Sequence, residues 1–555
     1  MPIGSRAEPR APGGEASTGR RAAPRHDRSG KLAIMTHILL TRPGGHRMPI
    51  ARALVAALAL WTVTVTPAYA APEGQLTWGV HITLAPTWFD PAETPNLITP
   101  YMVMYALHDS MVKAMPEHPM VPSLAESWKA SPDGKTYEFT LRKNVKFHDG
   151  SPLTAEDVKY SFERYRGTAA KSLKERVASV ETVGANQVRF KLKNPWPDFL
   201  TFYALSSGAG WIVPKKYVEK VGEDGYKKAP VGAGPYKFVS FNPGVELVFE
   251  AFDQYWRKSP SVKRLVFKMI PDETTRLAAL KRGEIDIVYS IRGELAEELQ
   301  RTPGLTLKPT IIQAPQWVAM LDQWDPKSPW HDRRVRLAAN LVVDRNAINQ
   351  AVTLGHSRIT HSLIPSTFDF SWKPPAYKVD VAQAKKLMAE AGYANGFDAG
   401  DYYMDISYAN VQEIVAGMLQ QQLGIKTRMK NVERAAYWSG YTDKKYKNLA
   451  YTASGAFGNA ATRLESFVVK GGPFVYGSYP DIDGLFAEQA AELDRKKREA
   501  ILHKIQQLVH EKAMIIPIWE LGFLNGQGQR VQESGLGLIP GHAYSAPYED
   551  VRLKK

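Results

Sequence analysis

The stretch "NVKFHDGSPLTAEDVKYSFER", Asn144 to Arg164, sets His148 beside Asp149 and Glu156 beside Asp157. An imidazole among carboxylates is material for general acid–base chemistry or for holding a metal. The spacing argues against both. Adjacent residues of an extended segment point to opposite faces, so His148 and Asp149 do not converge on one proton or one ion. Asp149-Gly150 is a turn dipeptide. Thr154 is placed to cap a helix, with Asp157 as its reciprocal partner three residues on. Glu156 and Asp157 then lie in the first turn, where the helix dipole favours negative charge.

The other chemical candidates read the same way. His331-Asp332 precedes "RRVRLAANL", and Asp332 is expected to cap that helix. His503 and His510 share one helix face two turns apart, too far for a single ion. Gly232-Ala233-Gly234 lacks the third glycine and the following acid of a nucleotide loop, and reads as a tight entry to a strand. No G-x-S-x-G, G-x-x-x-x-G-K-[ST] or H-E-x-x-H is present in the sequence. With no cysteine, a thiol nucleophile, a disulfide framework, an iron–sulfur site and a lipid-modified cysteine are all excluded. The sequence therefore predicts no catalytic residue, no metal site and no cofactor.

The elements that position these residues alternate between strand and helix. "GQLTWGV" (Gly74–Val80) has strand periodicity, and "APTWFDPAETPNL" is a proline-broken loop. A Pro132-Asp133-Gly134 turn leads into the alternating run Thr136–Leu141, which predicts a hairpin with the segment around Trp128. Val158, Phe162 and Tyr165 recur at i, i+4 and i+7 and predict one buried helix face. Asp272, Asp344 and Asp380 each precede a helical pattern as caps, a helix from Asp272 stops near Gly283, and a buried strand is expected at Ile285–Tyr289. Gly392 is the expected left-handed residue after the helix begun at Asp380. "IDGLFAEQAAELDRKKREAILHKIQQLVHEKA" predicts two helices, and "MIIPIWELGFL" a strand. The class is α/β or α+β with several domains.

Charge and targeting set the compartment. Residues 1–70 hold ten basic and three acidic residues, so about half of the +15 formal charge lies there. The remaining basic residues are scattered without a nucleic-acid motif, so no nucleic acid is expected as a partner. Residues 48–70, with Arg47 just before them, combine Arg52, an apolar run from Leu54 to Val65, and Ala68-Tyr69-Ala70. That is the pattern of a cleavable secretory signal with a cut before Ala71. Residues 1–47 read as a disordered extension, with Met48 as the expected natural start. The mature chain is expected to be exported, not lipid-anchored and not membrane-inserted.

Five segments together resemble one family. They are "LAESWKASPDGKTYEFTLRKNVKFHDGSPLTAEDVKYSFER" (Leu124–Arg164), "PVGAGPYKF" (Pro230–Phe238), "RLAALKRGEIDIV" (Arg276–Val288), "DRRVRLAANLVVDRNAI" (Asp332–Ile348) and "DVAQAKKLMAEAGYANGF" (Asp380–Phe397). In this order they resemble the family 5 extracytoplasmic solute-binding proteins of the peptide/nickel class. The resemblance implies a class II periplasmic-binding-protein fold, with two α/β lobes, a crossing-strand hinge and a domain inserted into the first lobe. Lobe I is expected at 71–107, 206–315 and 521–555, the insertion at 108–205, and lobe II at 316–520. The implied role is that of a monomeric, non-enzymatic periplasmic component of an ATP-driven importer. It binds a peptide-type solute between the lobes and delivers it to a permease and ATPase.

On that reading the ligand-contacting candidates are Trp88 and Phe89 in "PTWFDP", Trp317 in "QWVAM", Tyr437 and Trp438 in "AAYWSGY", and Arg463. The aromatic rings suit stacking. Arg463 suits a carboxylate or phosphate. Peptide-binding relatives carry a Trp and an Asp in the stretch matching "LAYTASGAFGNAATRLESF" (Leu449–Phe467), and that Asp pairs with the ligand's ammonium group. Here the charges are Arg463 and Glu465 instead. This departure leaves an opine, a sugar conjugate or a small organic acid as the second ligand class. An exported hydrolase is the competing functional class, and it lacks a nucleophile–base pair.

Overall fold

The computed structural model describes residues 71–555, apart from 94–98, 168, 206, 454–457 and 555, and without the side chains of 407, 434 and 435. The expected extension and secretory signal lie outside the described residues.

Strand alternation builds a seven-stranded sheet around Glu73–Val80, whose Leu76, Trp78 and Val80 are fully buried. Its order is 306–307, 526–527, 287–288, 73–80, 262–269, 246–251, 236–242. Glu73–Val80 runs parallel to Val262–Met269 and to Ile287–Val288. Gly526–Gln527, from near the end of the chain, is wedged antiparallel between Ile287–Val288 and Thr306–Leu307. The strand expected over Ile285–Tyr289 is shorter, because Asp286 accepts the Thr77 amide with its side chain (2.9 Å) instead of pairing by backbone alone.

A six-stranded sheet has the order 358–359, 515–523, 310–320, 449–453, 398–405, 426–432. The strand Thr310–Met320 splits its side chains between two cores. Val318 and Met320 join the main core, and Trp317 and Ala319, with Leu321 just beyond the strand, join a second one on the opposite face. The chain passes between the two large sheets twice, at 308–309 and 524–525. There the Lys308 amide donates to the Asn525 carbonyl (2.7 Å).

A separate four-stranded antiparallel sheet, ordered 125–130, 136–141, 187–192, 177–182, contains the expected hairpin. The helix Ala155–Arg164 is followed at once by Tyr165, and Val158, Phe162 and Tyr165 are all buried in this sheet's core. The expected caps are in place. Asp272, Asp332 and Asp380 accept from the amides of Thr275, Arg334 and Gln383 at 2.7, 2.7 and 2.8 Å. Asp344 accepts from Asn346 and Ala347, both at 3.0 Å. Gly392 takes φ +87° after the helix Val381–Glu390. Among the described residues no helix is long and apolar enough to cross a membrane.

Candidate functional site

The acid–histidine stretch is structural. The Asp157 carboxylate accepts from the Thr154 amide and hydroxyl, both at 2.8 Å, and from the Lys215 amide at 2.9 Å. His148 reaches the bare glycine motif. Its Nδ1 accepts from the Gly232 amide (3.2 Å) and its Nε2 donates to the Gly234 carbonyl (2.9 Å). Those two contacts need a neutral ring, and burial pushes its pKa down to about 3. The glycines are required by a close approach. A Cβ on Gly232 would sit 2.0 Å from the Leu107 carbonyl oxygen, and one on Gly234 would sit 2.6 Å from that of Ala106. Among the described residues no three His, Cys, Asp or Glu side chains are grouped to hold a metal.

The loop "PTWFDP" forms two short 3-10 turns, Pro86–Phe89 and Pro91–Glu93. Trp88 is half-buried at the surface of the main core. Phe89 is 1% exposed and packs on Phe238 and Phe241, with ring centroids 5.8 and 5.1 Å away. Its carbonyl accepts from His108 Nε2 (2.9 Å). Asp90 holds Arg164 through two bonds of 2.7 and 2.8 Å, which ties this loop to the helix Ala155–Arg164.

On the six-stranded sheet the predicted residues come together. Trp317 meets Phe467 edge to face (5.0 Å), Phe467 stacks on Phe474 (4.7 Å), and Phe474 meets Trp438 edge to face (5.3 Å). Tyr437 is fully buried, and its hydroxyl donates to the Tyr451 carbonyl (2.8 Å). Its position is that of a core residue. Trp317, Phe467, Phe474, Tyr441 and Tyr476 border a cavity on this face.

Arg463 closes the row of rings. Its guanidinium lies 5.2 Å from the Trp317 centroid and 4.5 Å from that of Phe467. The side chain is buried, Nε donates to the Leu363 carbonyl (3.2 Å), and Nη2 has no hydrogen-bond partner among the described residues. Burial without a carboxylate pulls its pKa down to about 9. Glu465, two residues on, pairs with Arg176 (3.5 Å), and burial raises its pKa although Arg176 opposes the shift.

Sequence reasoning missed Gln316. This buried amide accepts from the Tyr451 hydroxyl (2.6 Å) and Trp519 Nε1 (2.7 Å), while its Nε2 is unpartnered among the described residues. An amide inside the run "QAPQWVAM" was the available signal. The structure does not join Trp88 and Phe89 to the Trp317–Arg463 row by any described ring or polar contact.

Three comparisons bear on what this arrangement serves. The profile of "Bacterial extracellular solute-binding proteins, family 5 Middle" matches residues 119–473. The chain is 26% identical over 492 residues to the nickel-binding periplasmic protein of Escherichia coli, covering 83% of this chain and 92% of that protein. It is 27% identical over 438 residues to the dipeptide-binding protein of E. coli, covering 71% and 79%. A solved ABC transporter substrate-binding protein from Listeria monocytogenes superimposes with a TM-score of 0.77 at 23% identity, covering 87% of this chain and 100% of that one. The fold is thus that of the class II periplasmic binding proteins. The chain belongs to family 5 of the bacterial extracellular solute-binding proteins and is the solute-binding component of an ABC importer, not an enzyme.

Proposed function

We propose that this chain is exported to the periplasm and captures a peptide-type solute bearing a free carboxylate, which it delivers to its permease and ATPase. Residues 71–107, 206–315 and 521–555 form one lobe, 108–205 an insertion in it, and 316–520 the other lobe. The solute sits between the lobes with its anionic end on Arg463 and apolar parts against Trp317, Trp438 and Trp88. One observation carries the reading: a buried guanidinium with an orphan Nη2 and, among the described residues, no carboxylate partner. A bidentate carboxylate supplies the missing charge and hydrogen bonds together.

A second ligand class, an opine, sugar conjugate or small organic acid, is favoured by the stretch Leu449–Phe467. Its only acid is Glu465, already paired with Arg176. A buried ammonium left without a carboxylate is costly.

Native mass spectrometry of protein from its own host identifies the solute carried. A thermal-shift panel then separates the classes. N-acetylated dipeptides raise the melting temperature if the carboxylate is the recognised group, and C-amidated ones do not. If the amides stabilise as well as the free acids, the carboxylate reading fails. If peptides do nothing while an opine or organic acid stabilises, the second class replaces the first.

A further inference from the structure

The two large sheets are joined at one place, where the chain crosses at 308–309 and 524–525. The bond from the Lys308 amide to Asn525 and the Asn525 side chain on Thr310 Oγ1 (2.9 Å) fasten that joint. The four-stranded sheet and the segment after it also touch the six-stranded sheet's helices, but in another manner. Among the described residues no backbone–backbone hydrogen bond links 108–205 to 316–520. The polar contact is made by side chains alone. Asp198 accepts from Asn459 Nδ2 (2.6 Å) at the start of the helix Ala460–Phe467, and it is ion-paired with Arg498 on the helix Arg495–Glu511. Gln489 holds Arg498 from behind, accepting from its Nε (3.0 Å), and the Phe370 ring lies 5.2 Å from the guanidinium. Arg176 adds a second, more exposed ion pair to Glu465, with its guanidinium 4.5 Å from the Trp196 ring.

Asp198 and Arg498 are 8% and 4% exposed. Two charges taken out of water and returned to each other contribute little net stability, but removing one partner leaves the other buried and uncompensated. Such a pair is strongly selective for one geometry. An interface without shared backbone bonds parts as a unit, and both charges regain water when it does.

We propose that Asp198 and Arg498 are positioning residues for solute capture: a latch between the inserted segment and the helices of the six-stranded sheet that forms when the protein shuts and holds it shut. This inference rests on the reading that the solute is held between the lobes. Neither residue touches the solute. They act by setting the fraction of protein in the binding-competent shape, and apparent affinity falls in proportion to that fraction.

The native chain contains no cysteine, so Asn194→Cys and Leu493→Cys supply the only thiols for two spin labels, one on each side of the contact. Distances are measured in the ligand-free protein. The parent gives a dominant short distance. Asp198→Asn and Arg498→Ala shift the distribution to longer distances, and the exchanged pair Asp198→Arg with Arg498→Asp restores the short one. Circular dichroism confirms that each variant is folded, and Asn459→Ala is the milder variant should either single change unfold the chain. An unchanged distribution in folded Asp198→Asn and Arg498→Ala overturns the latch, as does failure of the exchanged pair to rescue. For whichever solute mass spectrometry identifies, the single variants bind about tenfold more weakly and the exchanged pair recovers. If no solute is found while the distances respond as described, the latch stands and the cleft reading falls.

Discussion

Two buried arginines in this molecule have opposite surroundings. Arg164 is held by Asp90 at 2.7 and 2.8 Å and by Glu223 at 2.6 Å. Burial works against its charge, but the two carboxylates outweigh burial and its pKa rises. Arg463 is buried more deeply, with two rings and one carbonyl, and its pKa falls to about 9. Each guanidinium keeps one unpartnered buried nitrogen, Nε in Arg164 and Nη2 in Arg463, so the difference lies in the charge. That of Arg164 is answered by two carboxylates whether or not a solute is present, whereas among the described residues that of Arg463 is answered by none.

The largest expected effect comes from breaking the completed pair. Asp90→Ala removes two of Arg164's three carboxylate bonds and leaves it to Glu223 alone, and should cost about 3 kcal/mol of unfolding free energy, read by urea denaturation. Binding by the remaining folded protein should be little changed. Arg463→Met should do the reverse. It removes an uncompensated charge, so the ligand-free protein keeps or gains stability. Affinity for the solute should drop by about 2–3 kcal/mol, the loss of a hydrogen bond to a charged group, measured by calorimetry. If Arg463→Met unfolds the protein as readily as Asp90→Ala, the contrast between the two arginines is wrong.

Acid sharpens the comparison at intermediate cost. His108, beside the Asp90–Arg164 pair, is pushed down to about 4 mainly by burial, and His148 to about 3. Unfolded, both titrate near 6.5. Between that value and the folded ones the unfolded chain binds more protons, so stability is fully present above about 6.5 and is lost as pH falls toward 4. Melting temperature should decline through that window. Arg463 stays charged throughout it, so affinity for an anionic solute should be flat from pH 6 to 8. An affinity that tracks the melting curve would tie binding to the histidines. The smallest effect is expected from Trp88→Ala, a few-fold loss of affinity with stability nearly unchanged, since Trp88 is only half-buried while its neighbour Phe89 is core.

Local grammar was readable in the sequence. The caps at Asp272, Asp332, Asp344 and Asp380, the capping pair Thr154–Asp157 and the Gly134 turn depend on residues a few positions apart. The partnerships that join distant segments were not. His148 with Gly232 and Gly234, Asp90 with Arg164, and Asp198 with Arg498 bring together residues 84, 86, 74 and 300 positions apart. No periodicity encodes such a meeting, because it is set by how sheets pack. The six predicted contact residues split for the same reason. Residue type nominated Phe89, Trp317 and Tyr437 as rings, but only the packed structure reveals that all three are enclosed by neighbours. It also places Arg463 against Trp317, 146 positions earlier in the chain.

The two-residue strand Gly526–Gln527 has a consequence for synthesis. It fills the gap between Ile287–Val288 and Thr306–Leu307, so the first sheet begun by the chain is among the last to be finished. A chain that has emerged only as far as residue 500 has a slot in its oldest sheet. Strand edges left open in this way are prone to mispairing. A chain with this connectivity stays without its complete seven-stranded sheet until residues 526–527 have emerged and entered the gap. Truncations near the C-terminus should therefore harm folding of the N-terminal strands more than loss of so short a segment would suggest.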